Sequence, residues 1–245
     1  SQVRGNGAID MRGLVIAHGD LRISVGSLSI GAFFLLGKDG ISAFYADHVV
    51  KIGAMSFARA KNLGEVSISG IADKLPDGSS AMHPSNRVGV FSDCPALTNM
   101  TLSLPLVSIG SVAFAGSSSL AGDVARLVPK GVTNMGACAF LHASSLRGTL
   151  ETTAIRSVGA RAFQSAGFDE IRLGCDEGLT EFPPGGSSGG NAYGVFTLCP
   201  NLTNLEIRAS GLVAMGKLNF GDSPALRRFA ADAPKLQSLG GTRGC

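Results

Sequence analysis

The residues of this chain that could perform catalysis are few and share no common pattern. The densest acidic spots are Asp169-Glu170 and Asp176-Glu177, and paired carboxylates could act as acid and base in polysaccharide cleavage. The outward strand positions, however, show no converging acids, because they are Ser67, Thr101, Arg172 and Glu206. Four histidines share no ligand spacing with a cysteine or carboxylate: His18, His48, His83 and His142. The sequence therefore predicts no catalytic residues, no metal site, no cofactor and no enzyme.

The cysteines do not form a recognisable metal or redox motif. Cys94 and Cys199 each follow a phenylalanine by three residues, which favours a small buried side chain over a disulfide or metal ligand. Cys245 lies in a glycine-rich tail and is expected to be free or joined to another molecule. The chain contains five cysteines, an odd number without a CxxC pair: Cys94, Cys138, Cys175, Cys199 and Cys245.

Two other local motifs have a structural or incidental explanation. The glycine-rich run from Gly185 to Gly190 lacks the following Lys-Ser/Thr of a phosphate-binding loop, so it predicts an extended flexible loop. Asn99 and Asn201 begin Asn-x-Thr sequons. These would be N-glycosylation acceptors only in a eukaryotic secretory route, and chance occurrence is the alternative.

Composition excludes several classes of partner. The net charge is only +3 with scattered Lys and Arg, so we expect no nucleic-acid partner. No stretch reaches the roughly 18 to 20 apolar residues of a membrane helix, so no membrane insertion is expected. The 34 glycines together with 44% hydrophobic residues indicate many tight turns around an apolar core.

A Gly-x-x-x-Phe cassette, preceded by an aliphatic residue or Met, recurs along most of the chain. One copy is Ile109-Gly110-Ser111-Val112-Ala113-Phe114. Two shortened relatives, ending at Phe91 and Phe196, lie between full copies. The cassette phenylalanines follow one another at 34, 23, 26, 23, 33 and 24 residues: Phe57, Phe91, Phe114, Phe140, Phe163, Phe196 and Phe220. Such a repeat predicts a stack of similar units, each burying its apolar face against the next.

A longer period lies above this base unit of about 23 to 26 residues. Phe91 and Phe196 are 105 residues apart, Phe57 and Phe163 are 106 apart, and the flanking sequences match. We interpret this as a duplicated block of about four repeats. Each block contains one expanded loop, at about residues 77–87 and 184–192.

After each cassette the chain reads Leu-x-x-aliphatic-x-aliphatic, as in Leu202-x-x-Leu205-x-Ile207. Its period-two end predicts a short strand with one buried face, whereas the cassette predicts a helical turn or tight arc with its phenylalanine inward. Two variants, Leu120–Val124 and Leu146–Leu150, insert a residue before the strand and predict a bulge or longer turn. Residues 1–51 are a degenerate start, in which Leu14–Ile23 and Ile30–Phe33 are interpreted as further copies.

These motifs resemble the BspA-like class of leucine-rich repeats. The resemblance is carried by Ile109–Phe114 and by the Phe-x-x-Cys-x-x-Leu segments beginning at Phe91 and Phe196. It implies an α/β-type, right-handed leucine-rich-repeat solenoid, mostly strand and loop, with one short parallel strand in each coil. It also implies a secreted or cell-surface protein with a role in adhesion or protein binding. Residues 1–245 would form one domain, with regular repeats over 52–240 and a tail at 241–245.

The predicted function is therefore a non-enzymatic interaction module that binds a protein or glycan. A structural subunit of a larger surface complex or filament is the alternative, and a carbohydrate-active enzyme is the third option. Any signal peptide or anchor would lie outside this chain, because repeat-like sequence runs nearly to both ends. The expanded loops are either specificity elements or neutral insertions. The candidate interaction surface comprises outward polar residues: Thr98, Asn99, Thr101, Asp169, Glu170, Arg172, Asn204, Glu206, Arg227 and Arg228.

Overall fold

The computed structural model describes residues 2–4, 19–80, 87–188, 191–216, 219 and 221–239. This part of the chain consists almost entirely of strands and turns, and its strands form mainly parallel ladders, as in a repeat solenoid. The α-helical component of the predicted α/β class is absent from these residues, whose one helix is a 3-10 helix at Val124–Arg126. His18, His83, Phe220, Cys245 and the first half of the predicted coil at Leu14–Ile23 lie outside the described residues.

The described residues form 23 strands, which are numbered in chain order, and eleven of these lie in the first half of the chain. They are β1 (Gln2–Arg4), β2 (Gly19–Ser24), β3 (Leu28–Ile30), β4 (Ile41–Ile52), β5 (Glu65–Gly70), β6 (Lys74–Leu75), β7 (Ser79–Ser80), β8 (Arg87–Val88), β9 (Asn99–Ser103), β10 (Ser108–Ile109) and β11 (Gly122–Asp123).

The second half contains twelve strands. They are β12 (Asn134–Met135), β13 (Leu146–Arg147), β14 (Thr149–Ile155), β15 (Ser157–Val158), β16 (Glu170–Cys175), β17 (Glu181–Phe182), β18 (Gly186–Ser188), β19 (Asn191–Tyr193), β20 (Asn204–Arg208), β21 (Ala214–Met215), β22 (Arg228–Asp232) and β23 (Ser238–Leu239).

The longer strands form two parallel sheets. The first sheet has the order β1-β2-β4-β5-β9, with β3 also paired to β4, and the second has the order β14-β16-β20-β22. Alternate residues of β5, β9, β16 and β20 are buried, as in β9, where Met100 and Leu102 face inward. The predicted period-two pattern is therefore correct, and it leaves one polar face of each sheet directed outward.

Several of the aliphatic or Met residues before the cassette glycines belong to a second set of short parallel ladders. One joins β6, β10, β12 and β15, and another joins β17, β21 and β23. Leu75, Ile109 and Met135 align in the first of these ladders and are buried. Each repeat thus contributes backbone hydrogen bonds on more than one side of the core.

The cassettes themselves are tight turns that stack on one another. Three backbone N–H groups of one cassette donate to carbonyl oxygens of the following repeat, each over 2.8 Å. Val112 donates to Ala137, Phe114 to Ala139 and Gly116 to Leu141. Val112 adopts φ of 63° and Gly116 adopts φ of 73°. A β-branched residue rarely occupies the left-handed region, so the stacked hydrogen bonds hold Val112 in a conformation that its side chain disfavours.

The cassette glycine is required by the close approach of the preceding repeat. A Cβ atom at Gly136 would lie 2.2 Å from the backbone nitrogen of Ser111, and one at Gly159 would lie 2.2 Å from that of Ala137. Such distances are far inside van der Waals contact. The recurring glycine is therefore a packing requirement of the scaffold.

The cassette phenylalanines form a continuous column in the core. Consecutive rings have centroids 4.9 to 6.3 Å apart and interplanar angles of 12° to 19°. Phe168, which occupies the first position of the Leu-x-x-aliphatic-x-aliphatic pattern, packs edge-on against Phe140 and Phe163. The stacked residues are Phe57, Phe91, Phe114, Phe140, Phe163 and Phe196.

The N-terminal cassette differs from its predicted alignment. Phe33 is 56% exposed, whereas Leu35 is 3% exposed and donates its N–H to Ser56. Leu35 thus occupies the position that corresponds to Phe57 of the next cassette. The turn begins at Gly31 and has the full length of a cassette, so its last position is Leu35. The interpretation of Ile30–Phe33 as a copy ending in Phe33 is wrong by two residues.

The inserted residue at Leu120–Val124 has a larger effect than a bulge. The 3-10 helix replaces the expected strand, and Asp123 caps it by accepting the N–H of Ala125 over 2.9 Å. This helix packs between β9 and β14 and so separates the two sheets. At the second insertion, Gly148 with φ of 84° forms a turn that leads into β14. One parallel strand per repeat is therefore not the rule throughout the chain.

The duplicated blocks match in their hydrogen bonds. The Cys94 thiol donates to the carbonyl of Phe57 over 3.1 Å, and the Cys199 thiol donates to that of Phe163 over the same distance. Both cysteines are buried, as predicted from their repeat position. The sequence period of about 105 residues thus corresponds to a repeated local geometry.

Candidate functional site

The outward face of the first sheet is mostly small and uncharged. Tyr45 aligns with Ser67, which aligns with Thr101 on β9. The guanidinium carbon of Arg22 lies 3.7 Å from the centroid of the Tyr45 ring. Further along the strands, Ser69 donates to the Asp47 carboxylate over 2.7 Å. This face offers polar contacts but few charges.

The outward face of the second sheet is a lattice of opposite charges. Glu151 on β14 aligns with Arg172 on β16, which aligns with Glu206 on β20. In the next row, Arg208 on β20 aligns with Asp232 on β22. Aligned residues on neighbouring strands are close enough to interact, so each charge has an opposite charge beside it.

Ion pairs on this face leave part of each carboxylate open. Lys130 contacts Glu151 Oε2 at 2.8 Å, and the Arg208 Nη2 contacts Glu206 Oε1 at 2.6 Å. The hydrogen bond from Lys130 lowers the pKa of Glu151, to which nearby Arg172 and Arg208 also contribute. Glu151 therefore stays ionised at neutral pH, and its second oxygen is left as an acceptor.

A cavity of about 660 Å³ opens on this outward face. Gly174 provides its floor, beside a bulge in β14 where the strand has one residue more than β16. Its volume is in the range of ligand-binding clefts. We call it the Gly174 cavity, and it is lined by residues that include Glu151, Arg172, Gly174, Glu206, Arg208 and Asp232.

The predicted interaction residues are divided between the two sheets. Thr98, Asn99 and Thr101 are exposed on or just before β9 of the first sheet. The others lie on or next to the second sheet, where Glu170 aligns with Asn204 and Asn204 with Arg228. The structure thus brings together only part of the predicted surface: Asp169, Glu170, Arg172, Asn204, Glu206, Arg227 and Arg228.

Asp169 stabilises the scaffold. One of its carboxylate oxygens accepts hydrogen bonds from Arg147, and the other accepts the N–H of Gly148 over 2.8 Å. Partial burial would raise its pKa, but these hydrogen bonds lower it below the usual value. Asp169 therefore fixes the turn before β14 and has little capacity left for a ligand.

The two sequons differ in their environment. Asn99 is exposed, whereas the Asn201 amide donates to the carbonyl of Gly167 over 3.2 Å. Thr203 of the same sequon donates to the carbonyl of Asp169 over 3.1 Å. A glycan could be attached to Asn99 without loss of a hydrogen bond, but not to Asn201.

Three residues of the charged lattice were not predicted from sequence: Glu151, Arg208 and Asp232. Their signal was present in the period-two pattern: Glu151 aligns with Arg172 inside the repeat consensus, whereas Arg208 and Asp232 lie on its extension. The consensus ends at the second aliphatic residue, so Arg208 falls one position past it. The cavity depends on the β14 bulge, which no sequence pattern marked.

Both expanded loops contain a two-stranded antiparallel hairpin. In one, β7 pairs with β8, and in the other β18 pairs with β19. The guanidinium carbon of Arg161 lies 4.0 Å from the centroid of the Tyr193 ring. This contact links the second hairpin to the cassette that ends at Phe163. The expectation of an unstructured glycine-rich loop is wrong for Gly186–Ser188. Residues 81–86 and 189–190 between the paired strands lie outside the described residues.

Catalytic and metal chemistry find no support in the described ranges. These contain no group of three His, Cys, Asp or Glu residues placed to hold a metal ion. Burial raises the pKa of the Cys94, Cys175 and Cys199 thiols to about 12, so they are poor nucleophiles at neutral pH. Across the same ranges, no helix has the length and hydrophobicity needed to cross a membrane.

Comparison with known proteins identifies the repeat. A family model described as "BspA type Leucine rich repeat region" matches residues 87–183 in six copies. This range begins at β8 and ends just after β17. No curated protein and no solved structure matches the chain.

Proposed function

Because residues 87–183 form a BspA-type leucine-rich-repeat region, we propose that this chain is a secreted or cell-surface adhesion module that binds a protein or glycan. Proteins with such repeats are typically non-enzymatic and mediate protein interactions, and members of this family are usually secreted or on the cell surface. We place binding on the outward strand residues and the two hairpins. Rigid scaffolds commonly bind ligands through such exposed positions.

One observation supports this proposal above the others: the duplicated blocks differ on their outward faces. Tyr45, Ser67 and Thr101 of the first block correspond to Glu151, Arg172 and Glu206 of the second. Buried positions instead keep similar residues, as in Val66 and Ile171 or Met100 and Leu205. One scaffold therefore presents two chemically different faces, and exposed positions of this kind are where a repeat array binds its ligands.

We propose that residues 1–245 form one right-handed solenoid domain, with degenerate repeats over 1–51, regular repeats over 52–240 and a tail at 241–245. The ladders described above support a continuous array, since the phenylalanine column runs through both blocks. The 3-10 helix at Val124–Arg126 interrupts the sheet but not this column.

The test is binding of the purified chain to a panel of matrix proteins and to a glycan array. We expect at least one ligand, and we expect the R172S/E206T/R208S variant to lose it, because these changes install the residues of the first block. The matched control, I171V/L205M, makes the same kind of exchange in the core and should keep binding. Silence on both panels, or unchanged binding by the triple variant, would contradict the proposal.

A second candidate function is assembly with other chains in a surface complex or filament. Phe229 on β22 occupies a core-facing position that aligns with Leu205, yet it is 39% exposed. Leu239 on β23 is 60% exposed. A further chain could cover both. Light scattering of the purified protein would separate the two functions, since a stable monomer at high concentration argues against assembly.

A further inference from the structure

The place of Gly174 is occupied by different residues in the two duplicated blocks. Ser69 corresponds to Gly174, and Asp47 corresponds to Thr153 of the β14 bulge. In the first block, Ser69 donates to the Asp47 carboxylate over 2.7 Å and so fills this position. In the second block, Gly174 has no side chain, so the hydroxyl donor that Ser69 supplies in the first block is missing. The same bulge therefore carries a Ser69–Asp47 hydrogen bond in the first block and borders the Gly174 cavity in the second.

The groups around the cavity are mostly acceptors of hydrogen bonds. A Cβ atom at Gly174 would lie 2.8 Å from the carbonyl oxygen of Thr153 and 2.9 Å from that of Thr152, so both carbonyls border its floor. Thr152 lines the cavity and is 3% exposed. Its Oγ1 has no hydrogen-bond partner among the described residues. In the first block the corresponding residue is Ala46, which needs none.

Charge adds to this pattern. The carboxylates of Glu151 and Glu206 lie on strands either side of Gly174, and each ion pair described above uses only one of their oxygens. The guanidinium of Arg172 contacts Glu170 at 2.5 Å. Asp232 also lines the cavity and takes part in no ion pair within the described ranges. With the ion-pair partners Lys130 and Glu170 included, four carboxylates stand against three cationic groups and leave an excess of one negative charge.

We propose that the Gly174 cavity receives a lysine or arginine side chain of a protein partner. This inference rests on the proposed function and specifies the chemistry that the second sheet would recognise. The ammonium or guanidinium group would donate to the open oxygens of Glu151 and Glu206 and to the bulge carbonyls. A glycan fits less well, because no aromatic ring lines the cavity for a sugar to stack on.

The experiment is an NMR titration of the ¹⁵N-labelled chain with four probe peptides. Each is acetyl-Gly-Gly-Xaa-Gly-Gly-amide, with lysine, arginine, norleucine or glutamate at Xaa. We expect the lysine or arginine peptide to shift the amide signals of Gly174 and Cys175 saturably. A single side chain should bind with a dissociation constant on the order of 1 mM, and added salt should weaken it. The norleucine and glutamate peptides should leave these signals unchanged.

Variants make the result specific. E151Q/E206Q should weaken binding of the basic peptide at least about fivefold, which is about 1 kcal/mol. D47N/E65Q neutralises two acids on the first sheet and should have no effect. Four results would each contradict binding of a basic side chain in the Gly174 cavity. They are shifts that do not saturate, an equal response to the norleucine peptide, a preference for the glutamate peptide, and retained binding by E151Q/E206Q. The same amide shifts on addition of calcium chloride alone would also contradict it.

The two proposals fail in different ways. If the chain binds a protein from the panel and E151Q/E206Q binds it equally well, the interaction function stands and the basic-side-chain site is wrong. If the basic peptides bind at Gly174 but no protein or glycan binds the outward faces, the site stands and the module function is wrong.

Discussion

Single residues in this chain are constrained mainly by their neighbours in the adjacent repeats. Gly136 shows this clearly, because the backbone of Ser111 occupies the space where a side chain would begin. Val112 shows the opposite case, in which a residue poorly suited to φ of 63° is held there by hydrogen bonds to the next repeat. Residue type alone does not determine conformation here.

Gly136→Ala should destabilise the fold strongly. Its Cβ would overlap the Ser111 nitrogen at 2.2 Å, and backbone must move to relieve it. We expect a loss of at least roughly 1–3 kcal/mol in the free energy of unfolding by urea titration. Gly131→Ala is the matched control, since a Cβ there meets nothing within 4 Å. It should change stability by less than about 0.5 kcal/mol, and equal losses in both variants would refute the packing explanation.

The buried thiols predict a loss of stability in alkali. Burial raises the pKa of Cys94 and Cys199 from 9.0 to about 12, so the unfolded chain releases these protons first. Their contribution is complete below pH 9 and declines as the pH rises towards 12. Urea titrations from pH 8 to 11 should show a smaller decline in C94A/C199A than in the parent chain. Identical slopes would show that other groups cause the decline.

The sequence predicted some properties of single residues and not others. Cys94 and Cys199 were correctly predicted as buried, because their repeat position was visible in the sequence. The left-handed conformation of Val112 was not predicted, since neither glycine nor asparagine marks it. The Gly174 cavity was missed because it depends on an extra residue in β14 relative to β16, which is a property of two strands together.

The elements of the fold are short, and their stability comes from stacking. The strands β10, β12 and β15 have two residues each, yet Ile109, Met135 and Val158 align in one buried ladder. The phenylalanine column runs beside this ladder and joins the same repeats. An element of this size would not persist alone, so each repeat depends on both neighbours.

Phe114→Ala should therefore be costly, because Phe114 stacks on rings in both adjacent repeats. Its centroid lies 5.6 Å from that of Phe91 and 4.9 Å from that of Phe140. We expect a loss of about 3–5 kcal/mol in the free energy of unfolding. Phe33→Ala removes a phenylalanine that is 56% exposed and should cost far less. Similar costs at both sites would argue against the column as a source of stability.

The sequence predicted these elements better than their exact number. Period-two patterns identified β5, β9, β16 and β20, whose inward residues are buried as expected. The inserted residue near Val124 was recognised, but its result was not. Asp123 caps a 3-10 helix that begins at the buried Val124. This helix divides the two sheets because it contacts both β9 and β14, which the local sequence does not reveal.

At the scale of the whole molecule, the duplication provides one scaffold with two different outward faces. The first face is small and polar around Tyr45, and the second is charged around Arg172. A shared core keeps the two faces in fixed relation, because the ring column continues from Phe91 through Phe163. The charged face can change without altering the core.

Stability should vary along the array, because each repeat contacts mainly its neighbours. Phe91, Phe114 and Phe140 are fully buried between repeats, whereas Phe229 on β22 is 39% exposed. We expect hydrogen exchange to be slowest in the central cassettes and fastest in β22. The measurement is amide exchange followed by mass spectrometry of peptic fragments. Uniform protection along the chain would indicate that the array unfolds as a single unit.

The stacked cassettes give the array a direction. Phe57, Phe91, Phe114 and Phe140 all donate their N–H to the following repeat, while on the strand side Thr133 and Arg156 donate to the preceding one. An end-on view of any repeat thus shows amide hydrogens along one margin and carbonyl oxygens along another, and the opposite view reverses them. Two repeats can therefore join only front to back, so the two ends of the array present different backbone groups.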